Sequence, residues 1–204
     1  MIAHFDHLVA MLVTGVIVLM LVVTYQRAQQ NSVERAMTYV AKKQLFGLAD
    51  MLERDLGNAG FGTAPGQAGI TAHSTGEGGV TDTLAFWGSN AAGTPVEIRY
   101  VTSAVDSVTI EDKTMPLFEV RRFERNGGAW VQAGGSTPTL TRFSVDLLNA
   151  SSIPTDRAEA RRVRVRFSQA VLPNVGPDEY LQGYRLLHWG ITLTPANLDD
   201  YQGG

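Results

Sequence analysis

The feature that most constrains this chain is a stretch of sixty N-terminal residues that contains no proline. The stretch includes an apolar run, Leu8–Thr24 (LVAMLVTGVIVLMLVVT), and closes in a glycine-rich segment, Gly57–Gly62. Proline interrupts helices and glycine commonly ends them. The pattern therefore predicts one helix over 5–56, on the order of 75 Å long at 1.5 Å per residue. A helix of that length exceeds the core of one small domain, so part of it must lie outside that core.

The apolar half of this predicted helix, about 5–24, has the composition of a membrane anchor. Its length is close to the roughly 20 residues that span a bilayer. No Lys or Arg occurs in the first ten residues and no small-residue cleavage site follows Thr24, so we expect an uncleaved anchor and not a secretory signal. Its basic flanking residues all follow the apolar run: Arg27, Arg35, Lys42 and Lys43. The positive-inside rule would place that side in the cytoplasm, whereas an exported head domain requires the opposite, and both orientations remain open.

The second half of the predicted helix, 25–58, is amphipathic. Apolar residues recur every three or four positions and form one stripe, while charged residues occupy the other face. One favourable i,i+4 pair is expected there, between Asp50 and Arg54. We expect the stripe to pack on a head domain through Val33, Met37, Val40, Leu45, Leu48, Leu52, Leu56 and, just beyond the helix, Phe61.

The remaining segment, 61–204, reads as a β-rich head domain. After a Gly-rich stretch to Gly79 that is expected to be a loop, strand patterns occur at Thr83–Trp87, Val96–Val101, Ser107–Ile110, Leu117–Phe123, Trp130–Gln132, Leu140–Leu148, Arg162–Val171 and Tyr184–Leu193. Two of these strands alternate apolar and polar residues, which is typical of a sheet with one solvated face. Asn126-Gly127-Gly128 predicts a hairpin turn. The expected fold class is therefore α+β, with an antiparallel sheet packed on the amphipathic helix.

Composition and motifs argue against several kinds of site. The chain has no cysteine, which excludes disulfides, thiolate metal sites and a cysteine nucleophile. His4 and His7 are too few to make a good metal site, and Asp199-Asp200 fits no calcium-loop spacing. No catalytic or cofactor-binding motif occurs. We therefore expect no enzyme activity, no catalytic residue, no cofactor and no bound metal.

A basic run, Arg161–Arg166, is the strongest positive patch in the sequence. Its arginines alternate with valine and phenylalanine, so a solvated sheet face accounts for it. The net charge of −3 gives no general attraction to nucleic acid. We expect no nucleic-acid binding and favour a contact with an acidic partner subunit.

The residues at the end of the predicted helix resemble those of a known protein family. Residues 51–62 read MLERDLGNAGFG, which contains Leu-x-Arg-Asp-Leu-x-x-Ala-Gly-Phe, and the upstream segment QRAQQNSVERAMTYVAKKQLFGLADML is rich in Gln and Ala. Together with the strand order that follows, this resembles the type IV pilin and pseudopilin family, most closely the PilW-type minor pilins and the J-type minor pseudopilins. The resemblance implies a pilin-like fold whose helix has a protruding apolar half.

The resemblance also implies a function. The chain would be a structural subunit, specifically a minor one, of a type IV pilus-like filament or a type II secretion pseudopilus. Such filaments serve cell adhesion or protein transport. Its partners would be other pilin-like subunits, in a helical homo- or hetero-oligomer. Before assembly it would cross the bacterial inner membrane once, and afterwards it would lie in an extracellular or periplasmic filament.

Individual positions in the apolar half acquire expected roles from this resemblance. Asp6 is the only acid near the helix start, where the family carries a glutamate, so it is expected either to pair with a neighbouring subunit or to cap the helix. Gly15 is either a tolerated small residue or a point of close helix approach. The expected membrane or filament-core residues are Phe5, Leu8, Leu12, Val13, Gly15, Val16, Val18, Leu19, Leu21 and Val22.

A second interpretation needs only the apolar half of the helix. The chain would then be a single-pass, membrane-anchored binding or assembly module with an exported β domain that does not polymerise. In that case the apolar helix is an anchor and Asp6 has no subunit partner. The two interpretations share the α+β fold and differ in what surrounds the helix.

Overall fold

The computed structural model describes residues 2–64, 67–110, 113–171 and 185–198. One α-helix, α1 (Ile2–Gly57), opens the chain and confirms the predicted long N-terminal helix. The chain divides into two units, 1–40 and 41–204. The second unit begins inside α1, and from Leu45 onward one stripe of the helix shares a buried core with the strands.

The rest of the described chain is mainly strand, with a short 3-10 turn at Glu77–Gly79 and another at Ala196–Leu198. The strands are β1 (Ile70–Thr75), β2 (Thr81–Ser89), β3 (Pro95–Ile110), β4 (Lys113–Arg125), β5 (Val131–Gly135), β6 (Leu140–Leu148), β7 (Arg162–Val171) and β8 (Arg185–Leu193). All pair antiparallel in one sheet of order β1-β2-β3-β4-β6-β7-β8, and β5 pairs with β4. The α+β prediction is confirmed.

Two strand predictions were wrong in detail. β1 lies within the stretch that was expected to be a loop, because its pairing with β2 compensates for the glycines around it. The two predicted strands at Val96–Val101 and Ser107–Ile110 are one strand, β3, with a register shift between Ala104 and Asp106. The predicted hairpin is confirmed: Gly127 has φ +68° and β5 pairs back on β4.

The second unit has one main apolar core. Leu52 and Leu56 of α1 share it with Phe86 and Ile98 of β2 and β3 and with Phe167 of β7. Alternation along the strands explains which residues enter this core. In β7, for example, the valines and the phenylalanine are buried while the intervening arginines face solvent to varying degrees. This confirms the predicted solvated face of the sheet.

Candidate functional site on the long helix

The apolar segment of α1, residues 9–23, is exposed all round within its own unit. Its large side chains range from 39% exposed at Val23 to 75% at Met11. Within the described residues, α1 is the one helix long and apolar enough to cross a membrane, with a window hydropathy of 2.2 and none of that window buried. Exposed apolar surfaces of this extent are typical of membrane or protein contact sites.

The threonine hydroxyls in this segment and directly after it are satisfied by the helix itself. The Thr14 hydroxyl donates to the Ala10 carbonyl and the Thr24 hydroxyl to the Met20 carbonyl, each at 2.8 Å. Such back-bonding removes the need for water at a threonine. The segment therefore presents an apolar surface whose backbone and hydroxyl groups tolerate a water-free environment.

The expected core residues can now be placed on α1. A Cβ added at Gly15 would meet nothing within 4 Å, so no contact within the described part of the chain requires glycine there. The expected roles of Phe5, Asp6 and Leu8 concern side chains that lie outside the described part of the chain. The others lie on the exposed apolar segment: Leu12, Val13, Val16, Val18, Leu19, Leu21 and Val22.

The buried stripe of α1 is shorter than the expected one. Leu45, Leu48, Leu52 and Leu56 are at most 5% exposed. Further buried positions are Ala41 and Ala49, at 7% and 1%.

The remaining residues of the expected stripe, before Leu45 and after Leu56, are exposed or only partly buried. Val33 and Val40 are 48% and 51% exposed, and Met37 is partly buried. Phe61, in the turn beyond the helix, is 36% exposed. Ala41 is the first of the described helix residues to be buried, and the core that α1 shares with the strands begins at Leu45.

An ion cluster that the sequence reading missed lies beside this stripe. Asp55 is 1% exposed and accepts a hydrogen bond from the Tyr100 hydroxyl at 2.6 Å and another from Nε of Arg122. Arg122 is 3% exposed and also donates to Oε1 of Glu124 at 2.5 Å. Arg54, expected to pair with Asp50, instead donates to Oδ1 of Asp55 at 3.2 Å. We call Asp55, Tyr100, Arg122, Glu124 and Arg54 the Asp55 cluster.

The register of the sheet creates this cluster. Tyr100 of β3 and Arg122 of β4 are directly paired, so both side chains lie on the same face of the sheet. Asp55 comes three residues after Leu52 on the buried side of α1 and meets both. A carboxylate on an apolar stripe is rarely buried without a partner, and this was the signal that could have revealed the cluster.

The cluster changes the ionisation of its members. Burial raises the pKa of Tyr100, and the adjacent Asp55 charge and hydrogen bond raise it further. Burial opposes the charge of Arg122, but the hydrogen bonds and charge of Asp55, with Glu124, outweigh it and raise the pKa of Arg122. Two positive and two negative groups meet here, so the cluster is formally neutral. Replacing a buried ion pair by apolar residues is often neutral for stability, whereas removing one partner is costly.

The glycine-rich close of α1 is equally constrained. Ala59 is fully buried, and Gly60 has φ +89°, a conformation that favours glycine. A Cβ at Gly60 would lie 2.7 Å from the carbonyl oxygen of Asn197. The Gly60 N–H donates to the Trp87 carbonyl at 2.7 Å. Within the Leu-x-Arg-Asp-Leu-x-x-Ala-Gly-Phe segment, the Asp, the second Leu, the Ala and the Gly therefore each have a packing or bonding role in this fold.

The other charged candidates occupy ordinary surface positions. Arg164 and Arg166 both donate to Oδ2 of Asp146, at 3.0 and 2.8 Å, and Arg162 donates to the Ser152 hydroxyl. The described residues contain no group of three or more His, Asp or Glu that could hold a metal. The Asp199-Asp200 pair and the side chain of His4 lie outside the described part.

No protein-family model, curated protein or solved structure matches this chain.

Proposed function

We propose that the chain is a structural subunit, of the minor type, in a type IV pilus-like or type II secretion pseudopilus filament. The observation that carries the proposal is the continuity of α1. One helix presents an all-round exposed apolar segment at 9–23 and buries a stripe in a β domain from Ala41 onward. That division suits a subunit whose head stays folded while its helix is surrounded by lipid and later by neighbouring helices.

The energetics favour covering the apolar segment. Removing apolar surface from water contributes about 25 cal/mol per Å². Inside a bilayer this contribution has already been gained, so assembly would depend on helix packing and polar pairing. Asp6 is the acid we propose for such pairing, with a cationic group of a neighbouring subunit, because a charge in an apolar bundle requires a partner.

The test is incorporation of variants into surface filaments in the native cells. We expect wild-type chain in sheared filament fractions, detected by immunoblotting and electron microscopy. Asp6→Ala should fold normally and incorporate poorly, because it loses the proposed pairing. Asp50→Ala, which removes an exposed acid on the same helix, is the matched control and should incorporate normally. Normal incorporation of Asp6→Ala would refute the pairing role, and absence of the wild-type chain from filaments would refute the subunit function.

A second candidate is the single-pass anchored module that does not polymerise. The observation that favours it is that α1 alone has the length and hydropathy of a membrane span. Cysteine cross-linking separates the two, because the chain has no cysteine of its own. A Val16→Cys/Leu19→Cys variant should give a ladder of disulfide-linked multimers if helices pack together. It should stay monomeric if the helix is only an anchor.

A further inference from the structure

The second unit contains an open cleft that the proposed function does not use. Its volume is about 550 Å³, within the range of about 300–1,000 Å³ that is usual for small-ligand sites. It lies where the chain entering β1, strand β2 and the loop between β6 and β7 meet. The lining residues that matter chemically are Gln67, Ile70, Thr71, Trp87, Asp156 and Arg157.

The strand side of the cleft is held by hydrogen bonds. The Trp87 backbone N–H donates to the Gly69 carbonyl at 2.8 Å. The Thr71 hydroxyl donates to Oε1 of Glu97 at 2.7 Å, and Glu97 also pairs with Arg125. Gly69 is closely packed, because a Cβ there would lie 2.6 Å from Leu198. This wall is therefore preorganised.

The loop side of the cleft is held equally well. Oδ1 of Asp156 accepts the backbone N–H groups of Ala158 at 2.9 Å and Glu159 at 3.2 Å. A guanidinium nitrogen of Arg157 donates to the Thr71 carbonyl and ties the loop to β1. A ligand would meet Asp156 and Arg157 in fixed positions and would not have to order the loop, which lowers the cost of binding.

The chemistry of the lining is mixed and formally neutral. Asp156 supplies an acceptor, Arg157 supplies several donors, and the Gln67 amide supplies both. Trp87, which is partly buried, adds apolar surface, whereas the Ile70 side chain belongs to the main core. An anion would be repelled by Asp156 and a cation by Arg157. A pyranose ring suits this set, because its hydroxyl groups donate and accept while its C–H face packs against an aromatic side chain.

We propose that this cleft binds a neutral pyranose unit of a glycan, with its C–H face on Trp87 and its hydroxyl groups bonded to Asp156, Arg157 and Gln67. Glycan recognition would be an activity additional to the structural role, and it does not depend on whether the chain polymerises. A positive result with a monomeric chain would therefore stand even if the filament proposal failed.

The test uses the full chain in a detergent with an uncharged polyoxyethylene headgroup, because a sugar or zwitterionic headgroup would compete for the cleft. Cellotriose, maltotriose and chitotriose are titrated and binding is followed by ligand-observed saturation-transfer NMR. We expect saturable binding of at least one trisaccharide. Trp87→Ala should weaken it by roughly tenfold or more, the equivalent of about 1.4 kcal/mol. Trp130→Phe, which changes a tryptophan outside the cleft lining, is the matched control and should bind normally.

Gln67→Ala provides a second variant, at an exposed loop position where loss of the amide does not threaten folding. It should also weaken binding. The proposal is overturned if none of the three sugars binds saturably at millimolar concentration, or if Trp87→Ala and Gln67→Ala both bind like the wild type. It is also overturned if free leucine or phenylalanine binds more tightly than every sugar, since Asp156 and Arg157 would then be recognising a zwitterion.

Discussion

The two ends of α1 belong to one continuous helix but differ in how their apolar side chains are exposed. Between Val9 and Val23 the large apolar side chains point outward on every side of the helix. From Ala41 to Leu56 one stripe is buried in the core and the rest of the surface is exposed. Helical periodicity distinguishes them: an all-round apolar helix needs an apolar environment, and an amphipathic helix needs one apolar partner surface.

The polar chemistry of the two ends differs in the same way. The apolar end satisfies its threonine hydroxyls within the helix. The amphipathic end directs Asp55 into the core, where it is balanced by groups from two strands. The first end is suited to an apolar environment, whereas the second is packed on the strands of its own unit. We therefore expect substitutions in the apolar end to affect membrane insertion, and substitutions in the amphipathic end to affect the stability of the head.

The largest effect is expected from breaking the Asp55 cluster. Arg122→Met leaves Asp55 and Glu124 without their shared cation, and removal of one member of a buried pair costs about 3–5 kcal/mol. We expect a loss of that size in the free energy of unfolding, measured by urea denaturation of the full chain in detergent. The double variant Asp55→Leu/Arg122→Met removes both buried charges and should recover most of the loss. A single-variant loss below about 1 kcal/mol would show that the cluster does not act as a buried pair.

The second-largest effect is expected from truncating a side chain in the buried apolar stripe of α1. Leu52→Ala truncates a fully buried side chain and should lower the free energy of unfolding by about 2–5 kcal/mol, through lost burial and a cavity. Phe46→Ala is the matched control, because Phe46 is on the same helix and 56% exposed. It should change stability by about 0.5 kcal/mol or less. Equal losses in the two variants would contradict the assignment of the buried face.

The local parts of this architecture were predictable from sequence, and the non-local parts were not. The absence of proline and the three-four spacing predicted α1, and alternation predicted which side of β7 is buried. β1 was missed because ITAHST lies among glycines and becomes a strand through its pairing with β2. Val33 and Val40 share the three-four spacing but are exposed, and periodicity shows which face is apolar without showing where a partner surface ends.

The Asp55 cluster and the cleft required the fold itself. Tyr100 and Arg122 meet Asp55 because of the β3–β4 register, and no spacing in the sequence encodes that pairing. Asp156 and Trp87 are far apart in the chain and line one cleft only after the sheet has formed. What the sequence did contain was the anomaly, an aspartate on an apolar stripe.

A charge in the apolar end should leave the head intact and affect insertion. Leu19→Arg places a cation in the middle of the exposed apolar segment, which costs about 2.5–3.5 kcal/mol at the centre of a membrane span. We expect a strong decrease in the fraction of the chain that resists alkaline extraction from membranes, with no change in the unfolding midpoint of the head in detergent. Phe46→Arg, at the other end of the helix, should resist extraction like the wild type. Undiminished resistance of Leu19→Arg would argue against an apolar environment for this segment.

The smallest effect is expected when the Tyr100 hydroxyl is removed and the rest of the Asp55 cluster is kept. Tyr100→Phe removes a hydrogen bond to a charged acceptor, worth about 1.5–3 kcal/mol, while Arg122 and Arg54 still contact Asp55. Because the folded pKa of Tyr100 is raised, its contribution is complete below the unfolded tyrosine pKa of about 10 and falls as the pH rises above that value. The stability difference between wild type and Tyr100→Phe, measured by urea denaturation from neutral to alkaline pH, should therefore shrink above about pH 10. A difference that stays constant with pH would mean that Tyr100 titrates alike in both states, and that the hydroxyl is not held by Asp55 in solution.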